Sequence, residues 1–381
     1  SLFRGLADDL PLMTWLNDHI WPAEGKFVSE PFVLDGTRLA MAEMLRTGTT
    51  TFSDMYFFPE VTAQVAHDAG MRAQVCFPLM DMPTVWGSGP DEYLRKGAAL
   101  IEQWQGDDYI MPTIGPHAPY TVSDQPLKDA VNLAEKTGAA IQLHLHETAF
   151  EVDEAVKASG KRPVTRMAEL GVLGRNTQCV HMTQIDDSDL EQLVRSGAHI
   201  VHCPESNLKL ASGLCPVQKL MDHGINVTIG TDGAASNNDL DLFGELKTAA
   251  MVAKVVAGDA SALSAHRALE MATLNGARAL GRDQELGSLV PGKLADLIAV
   301  DLSDTTSGLN SRSIPLGSGN AQSMTVVETK DRTRLIFNLV ELAPYDTVRK
   351  DNSLVMTIGG ESDGGAVTAS TSMNSSSAKP S

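Results

Sequence analysis

The chain has 381 residues, 43% hydrophobic and 20% charged, with a formal net charge of −18. That is enough apolar material for one large core and a smaller second body, and such acidity without a basic stripe argues against nucleic acid as a partner. No apolar run approaches the roughly 18 residues of a membrane-spanning helix. The four cysteines, Cys76, Cys179, Cys203 and Cys215, lie in or beside apolar runs without CxxC spacing, as reduced thiols of a cytoplasmic protein do.

The opening SLFRGLADDLPLMTWL reads as mid-domain sequence with no secretory leader, so an N-terminal truncation is expected. After WPAE at 21–24 comes a helix carrying Thr37, Leu39, Ala40, Met44 and Leu45, ended by Gly48. GTTTFSDM (48–55) predicts a strand, 59–69 a helix, MRAQVCFPLM (71–80) a strand and 91–105 a helix. YIMPTIGPHAPYTV predicts a strand delivering His117, and helix 124–137 leads into AAIQLHLHET, 139–148. A helix near 163–170 precedes TQCVHMTQ, a strand with His181; SDLEQLVRSGAHIVHCPESN gives helix then strand, ending at His202. VQKLMDHGINVTIGTDG repeats the unit and delivers Asp232, and helices at about 239–256 and 264–280 follow. Seven strand-then-helix units predict parallel strands with crossover helices, an α/β chain forming a TIM-like (β/α)8 barrel that lacks its first strand. A doubly wound sheet is the alternative, but it would not spread polar residues over so many strand ends.

The chemistry concentrates where strands run out. HLHET places His144, His146 and Glu147 at the end of a buried strand, and GTDGAASNN places Asp232 at the end of another. Either alone reads as a barrel strand with a satisfied polar end. Together with CVHM and VHCPESN between them, they point to a metal hydrolase: imidazole nitrogen and carboxylate oxygen can hold a divalent cation, and a carboxylate beside activated water can move protons. His19, His67, His199, His223 and His266 fall in helices or beside turns and read as structural; His202 stays open between a functional and a hydrogen-bonded structural role. Arg72, at a strand start, reads equally well as a solvated charge.

WPAE, GPHAPYTV, HLHET, CVHM, VHCPESNLKLASG, GTDGAASNN and GSLVPGKLADLIAVD, in that order, resemble the amidohydrolase superfamily over residues 1–300, in the group of the 5′-methylthioadenosine/S-adenosylhomocysteine deaminases and triazine hydrolases. The resemblance implies metal-dependent hydrolytic deamination of an adenine nucleoside, with guanine or triazine hydrolysis as the alternative. It implies zinc, or another divalent metal, on His144 and Asp232, with Asp232, Glu147 and His181 catalytic. Glu147 would serve the purine ring nitrogen and the departing ammonia, and His181 the attacking oxygen. His146 is then core or a support of the site. Glu24 and His117 match substrate-contacting positions, Glu24 through the ribose hydroxyls. The resemblance also implies a His-x-His ligand pair ahead of the SLFRG-like segment, which this sequence does not contain. Weak zinc binding and no turnover are therefore expected of the chain as it stands. A homo-oligomer is left open.

Beyond Asp301, strands are predicted at 322–329, 332–340 and 353–358. The run NAQSMTVVE…DRTRLIFNLVELAPY resembles the AMIN domain of type IV pilus secretins, a module associated with the cell wall. Domains are thus expected at 1–300 and 301–360, joined near 298–304 as in a chimera, with a Ser/Gly/Thr-rich disordered tail at 361–381. The AMIN-like part implies the periplasm, whereas the rest implies the cytoplasm; a non-catalytic fragment with a wall-binding module is the reading from another functional class.

Overall fold

The computed structural model describes residues 1–290, 292–294, 297–303, 312–316, 321–328, 332–339, 345–350 and 353–358, so the 361–381 expectation lies outside the described residues. The chain divides into two units, Ser1–Leu294 and Ala295–Ser381.

The first unit is built on seven parallel strands hydrogen-bonded in sequence order: β1 Thr51–Met55, β2 Arg72–Leu79, β3 Ile110–Pro116, β4 Ile141–Leu145, β5 Thr177–His181, β6 His199–His202 and β7 Val227–Ile229. Sequential order with a helix in each crossover is the curl of a β/α barrel, and β1 and β7 are its two edges. β2 shows why such strands read as apolar runs: all eight of its residues are buried, as in a sheet covered on both faces. Phe77, Leu79, Ile114, Leu143, Leu145, Cys179, Ile200 and Val227 form the layer packed beneath the helices. Helix Pro90–Trp104 presses close on that layer because Gly97 has no side chain; a Cβ there would lie 2.3 Å from the Phe77 ring.

Three local departures from the sequence reading have clear causes. Helix Ala149–Ser159 was not foreseen; Thr148 caps it by accepting from the Glu151 backbone N–H, and Gly160 ends it at φ 71°. The helix expected over 264–280 is broken into Ala265–Ala272 and Leu274–Ala279 by Thr273, whose φ and ψ of −126° and −92° leave helical space. Arg72 is not solvated: it is 2% exposed, with its guanidinium over the Tyr109 ring. The four cysteines are buried free thiols.

The second unit holds an antiparallel sheet in the order β8–β11–β10–β9, from Leu297–Ser303, Arg332–Leu339, Ala321–Glu328 and Ser313–Pro315, and a hairpin of β12 Tyr345–Lys350 with β13 Ser353–Ile358. β8, from the ADLIAVD motif, pairs with β11 from Ser303↔Arg332 to Leu297↔Asn338. The strand therefore belongs with the residues that follow it.

Candidate active site

His117 directly follows β3, His144 lies within β4, His181 closes β5 and Asp232 comes just beyond β7. The His117 and His144 rings are 5.1 Å apart between centroids; those of His144 and His181 are 5.5 Å apart and inclined by 24°. His181 and Asp232 hold left-handed backbone conformations, at φ 78° and 60°, and His146 does so at 51°. Such conformations are costly for residues with side chains and recur where geometry serves a site.

Hydrogen bonds fix the imidazole faces. His144 Nδ1 lies 2.7 Å from the carbonyl oxygen of His117, which can only accept, so Nδ1 carries the hydrogen and Nε2 keeps a free lone pair. His181 is oriented the opposite way: Asn207 Nδ2 donates to its Nδ1 at 2.9 Å, which places the ring hydrogen on Nε2, 3.7 Å from Glu147 Oε2. Burial lowers the pKa of both rings, helped at His144 by the neighbouring His181, and burial brings His117 down to about 3, again with a histidine neighbour. His146 is fully satisfied in the core, donating from Nδ1 to the Gln184 carbonyl at 2.8 Å and accepting from the Val164 N–H at 3.1 Å. It supports the loop rather than lining the site.

Asp232 sits in a ring of donors. Ser206 and Ser236 hydroxyls donate to Oδ2 at 2.7 and 2.8 Å, and the Gly233 N–H donates to Oδ1 at 2.7 Å. Burial opposes the charge, but His181, His144 and these hydrogen bonds outweigh it and hold the pKa below the usual carboxylate value. Glu147 has the opposite character. It is 6% exposed, and burial, with Asp232 adding to it and His144 and Ser212 opposing, pushes its pKa up to about 7. Its backbone is clamped on both sides: the N–H donates to Glu151 Oε2 at 2.8 Å and the carbonyl accepts from Thr183 Oγ1 at 2.7 Å. The second oxygen of Glu151 accepts the His146 N–H at 3.0 Å.

Glu24 lies in helix Trp21–Phe27 and accepts from the Tyr56 hydroxyl at 2.8 Å. Tyr120, exposed, stands edge-on to His117 at 6.2 Å. His202 is 1% exposed, and neither ring nitrogen has a hydrogen-bond partner. His144, Glu147, His181 and Asp232 are thus brought together, with His117 beside them. Reading residue types alone missed Ser206, Asn207, Ser236 and Glu151. The first two lie within VHCPESN, and Glu151 completes a Thr-x-x-Glu signature with Thr148.

The donor set suits a divalent cation in part: the free Nε2 of His144 and an ionised, oriented Asp232 carboxylate are zinc-type donors. Among the described residues no group of three or more His, Cys, Asp or Glu is placed to hold a metal.

A curled parallel β/α sheet with imidazoles and carboxylates at its C-terminal strand ends is the layout of a barrel hydrolase. The sequence profile of the amidohydrolase family matches residues 1–358, and the chain belongs to that family of hydrolytic enzymes. It is 60% identical over 304 residues to the 5-methylthioadenosine/S-adenosylhomocysteine deaminase of Saccharophagus degradans, covering 80% of this chain and 68% of that one. It is 44% identical over 303 residues to the 5′-deoxyadenosine deaminase of Methanothermobacter thermautotrophicus, covering 79% and 70%. Among solved structures it resembles an adenosine deaminase from Xanthomonas campestris with bound zinc, at TM-score 0.76 and 49% identity over 77% of this chain and 67% of that one. An atrazine chlorohydrolase from Arthrobacter aurescens, at TM-score 0.71 and 23% identity over 77% and 70%, shares the fold. No helix among the described residues is long and apolar enough to cross a membrane.

Proposed function

We propose that the chain is a metal-dependent deaminase of adenine nucleosides, taking 5′-methylthioadenosine or S-adenosylhomocysteine and water to the inosine analogue and ammonia. The observation that carries the reading is geometric: one site brings together the open Nε2 of His144, an Asp232 carboxylate held by three donors, and a buried Glu147 whose Oε2 lies 3.7 Å from His181 Nε2. His144 and Asp232 would hold zinc, completed by the His-x-His pair that the family resemblance implies. Zinc supplies Lewis acidity that brings the pKa of water close to neutrality.

The remaining steps belong to the chain's own residues. Asp232 accepts a proton from the attacking water. Glu147 gives its proton to the purine ring nitrogen, takes up the proton remaining on the C6 hydroxyl and passes it to the departing amine, which leaves as ammonia as the C6 carbonyl forms; return of the proton from Asp232 to Glu147 restores both carboxyls. His181 donates from Nε2 to the oxygen developing at C6, the role for which Asn207 orients it. His117 flanks the base, and Glu24 accepts hydrogen bonds from the vicinal ribose hydroxyls, a contact that a triazine or free guanine does not offer. For residues 302–360 the cell-wall-binding role stays a separate proposal, supported by the AMIN-like run and tested by co-sedimentation with peptidoglycan.

The decisive experiment joins the His-x-His-bearing segment of a relative ahead of Ser1, loads zinc, and measures ammonia release from 5′-methylthioadenosine. Zinc held in a one-to-one ratio without ammonia release would overturn the reading. Release from guanine in place of the nucleoside would move it to the alternative substrate class.

A further inference from the structure

Glu24 reaches the strand ends from a distant part of the chain, and two attachments put it there. On one side Trp15, Leu16 and Ile20, just ahead of its helix, pack with Leu210 and Ala235, which follow β6 and β7. Lys209 pairs with Asp8 at 2.6 Å in the same region. On the other side Tyr56, the first residue beyond β1, donates its hydroxyl to Glu24 Oε1. Among the described residues Oε2 of Glu24 has no protein donor, and no cation pairs with the carboxylate. The group is thus a partly buried acceptor with one oxygen tied and the other open.

A vicinal diol needs such an acceptor at a fixed angle. A free glutamate side chain rotates about three bonds, and ordering it on binding subtracts from affinity. A phenol pinned by the end of β1 removes that freedom beforehand. It leaves Oε2 and the second lone pair of Oε1 for the two ribose hydroxyls. We propose that Tyr56 is a positioning residue for nucleoside specificity, holding Glu24 so that its open oxygen meets the 2′- and 3′-hydroxyls. This rests on the ribose-binding reading of Glu24 given above. The electrostatics agree: burial raises the Glu24 pKa to about 7 and the Tyr56 hydrogen bond opposes the rise, so the phenol also favours the ionised, better-accepting form. Asp54 is the other charged group acting on Tyr56.

The test is equilibrium binding of inosine and 2′,3′-dideoxyinosine to the full chain at pH 8, by calorimetry, in wild type, Tyr56→Phe, Glu24→Gln and the double variant. Wild type should prefer inosine. Tyr56→Phe should cut that preference by about three- to tenfold, the worth of one hydrogen bond, and should cut it no further in the Glu24→Gln background. A preference that survives Glu24→Gln, or that wild type lacks, overturns the ribose reading and this proposal with it. A preference lost in Glu24→Gln but intact in Tyr56→Phe overturns this proposal alone, as does an equal loss of both ligands in Tyr56→Phe. A ligand-free measurement stands beside these: carbon-13 NMR of the Glu24 carboxyl should show its midpoint moving above about 7 in Tyr56→Phe. An unmoved midpoint counts against the proposal.

Discussion

Glu245 offers a test that depends on neither metal nor substrate. It lies on helix Leu242–Ala257 with no exposed surface, its Oε1 accepting from Asn237 Nδ2 and its Oε2 from the Glu205 N–H at 3.3 Å. Asn237 also donates to the Thr231 carbonyl beside Asp232, and Glu205 precedes Ser206 and Asn207, which hold Asp232 and His181. One carboxyl therefore ties together the two segments that carry half the site. Burial first, with Glu205 and Asp239 adding and hydrogen bonds opposing, pushes its pKa up to about 8. A raised carboxyl pKa means that the folded state binds the proton more tightly. The stability it contributes is complete below the unfolded value near 4.5 and is lost as pH rises through about 8. At about 1.4 kcal/mol per pH unit the full swing is at most about 5 kcal/mol. Glu245→Gln does not titrate and mimics the neutral form, at a cost of about 1 kcal/mol for the lost acceptor to Glu205. Wild type should thus be the more stable at pH 5, and the variant should overtake it by a few kcal/mol by pH 9. Urea unfolding followed by tryptophan fluorescence reads this cleanly, because Trp15, Trp21, Trp86 and Trp104 all lie in the first unit. A stability difference constant from pH 5 to 9 would refute the reasoning.

Other substitutions separate the roles within the site. With the His-x-His segment supplied, Glu147→Gln should keep zinc and lose roughly 10²–10⁴-fold in kcat, whereas Asp232→Asn should lose both; elemental analysis beside ammonia release checks the pair, and zinc lost from Glu147→Gln would reverse the assignment. Asn207→Leu should lower kcat roughly 10–100-fold with zinc retained, since it removes the donor that keeps the hydrogen of His181 on Nε2. Gly97→Ala should lower stability by about 1–3 kcal/mol in the same urea assay, because its methyl meets the Phe77 ring.

Much of this arrangement could be read from the sequence because it is local. Buried strands are apolar runs, and a histidine or aspartate where such a run stops is visible without coordinates; hence the foresight for His117, His144, His181 and Asp232 and for the seven-strand parallel order. The supports were harder because they act across the chain. Tyr56 meets Glu24 over 32 positions, Ser206 meets Asp232 over 26, and Asn207 meets His181 over 26. No periodicity encodes such contacts. Arg72 failed for a related reason: its place at a strand start matched a solvated charge, and only the packing of Tyr109 over it reveals the burial. The helix after HLHET was missed although its cap was legible, since Thr148 and Glu151 stand at capping-box spacing.

That capping pair bears directly on the chemistry. An N3 glutamate ordinarily reaches back to the N-cap N–H. Here Glu151 reaches further, to the N–H groups of His146 and Glu147, and so braces the left-handed turn that aims Glu147 inward. The same residue that starts a helix therefore fixes the backbone of Glu147, the acid proposed above. Asp232 is managed by a parallel device, two serine hydroxyls and a backbone N–H, chosen to keep a proton off. Glu147 receives one weak hydroxyl donor at 3.4 Å, which does not offset its burial and the nearby Asp232, so its pKa is raised. The two carboxylates share a site yet differ in character because neighbouring histidines and hydrogen-bond donors outweigh burial at Asp232 and do not at Glu147, and the proposed proton relay rests on that inequality.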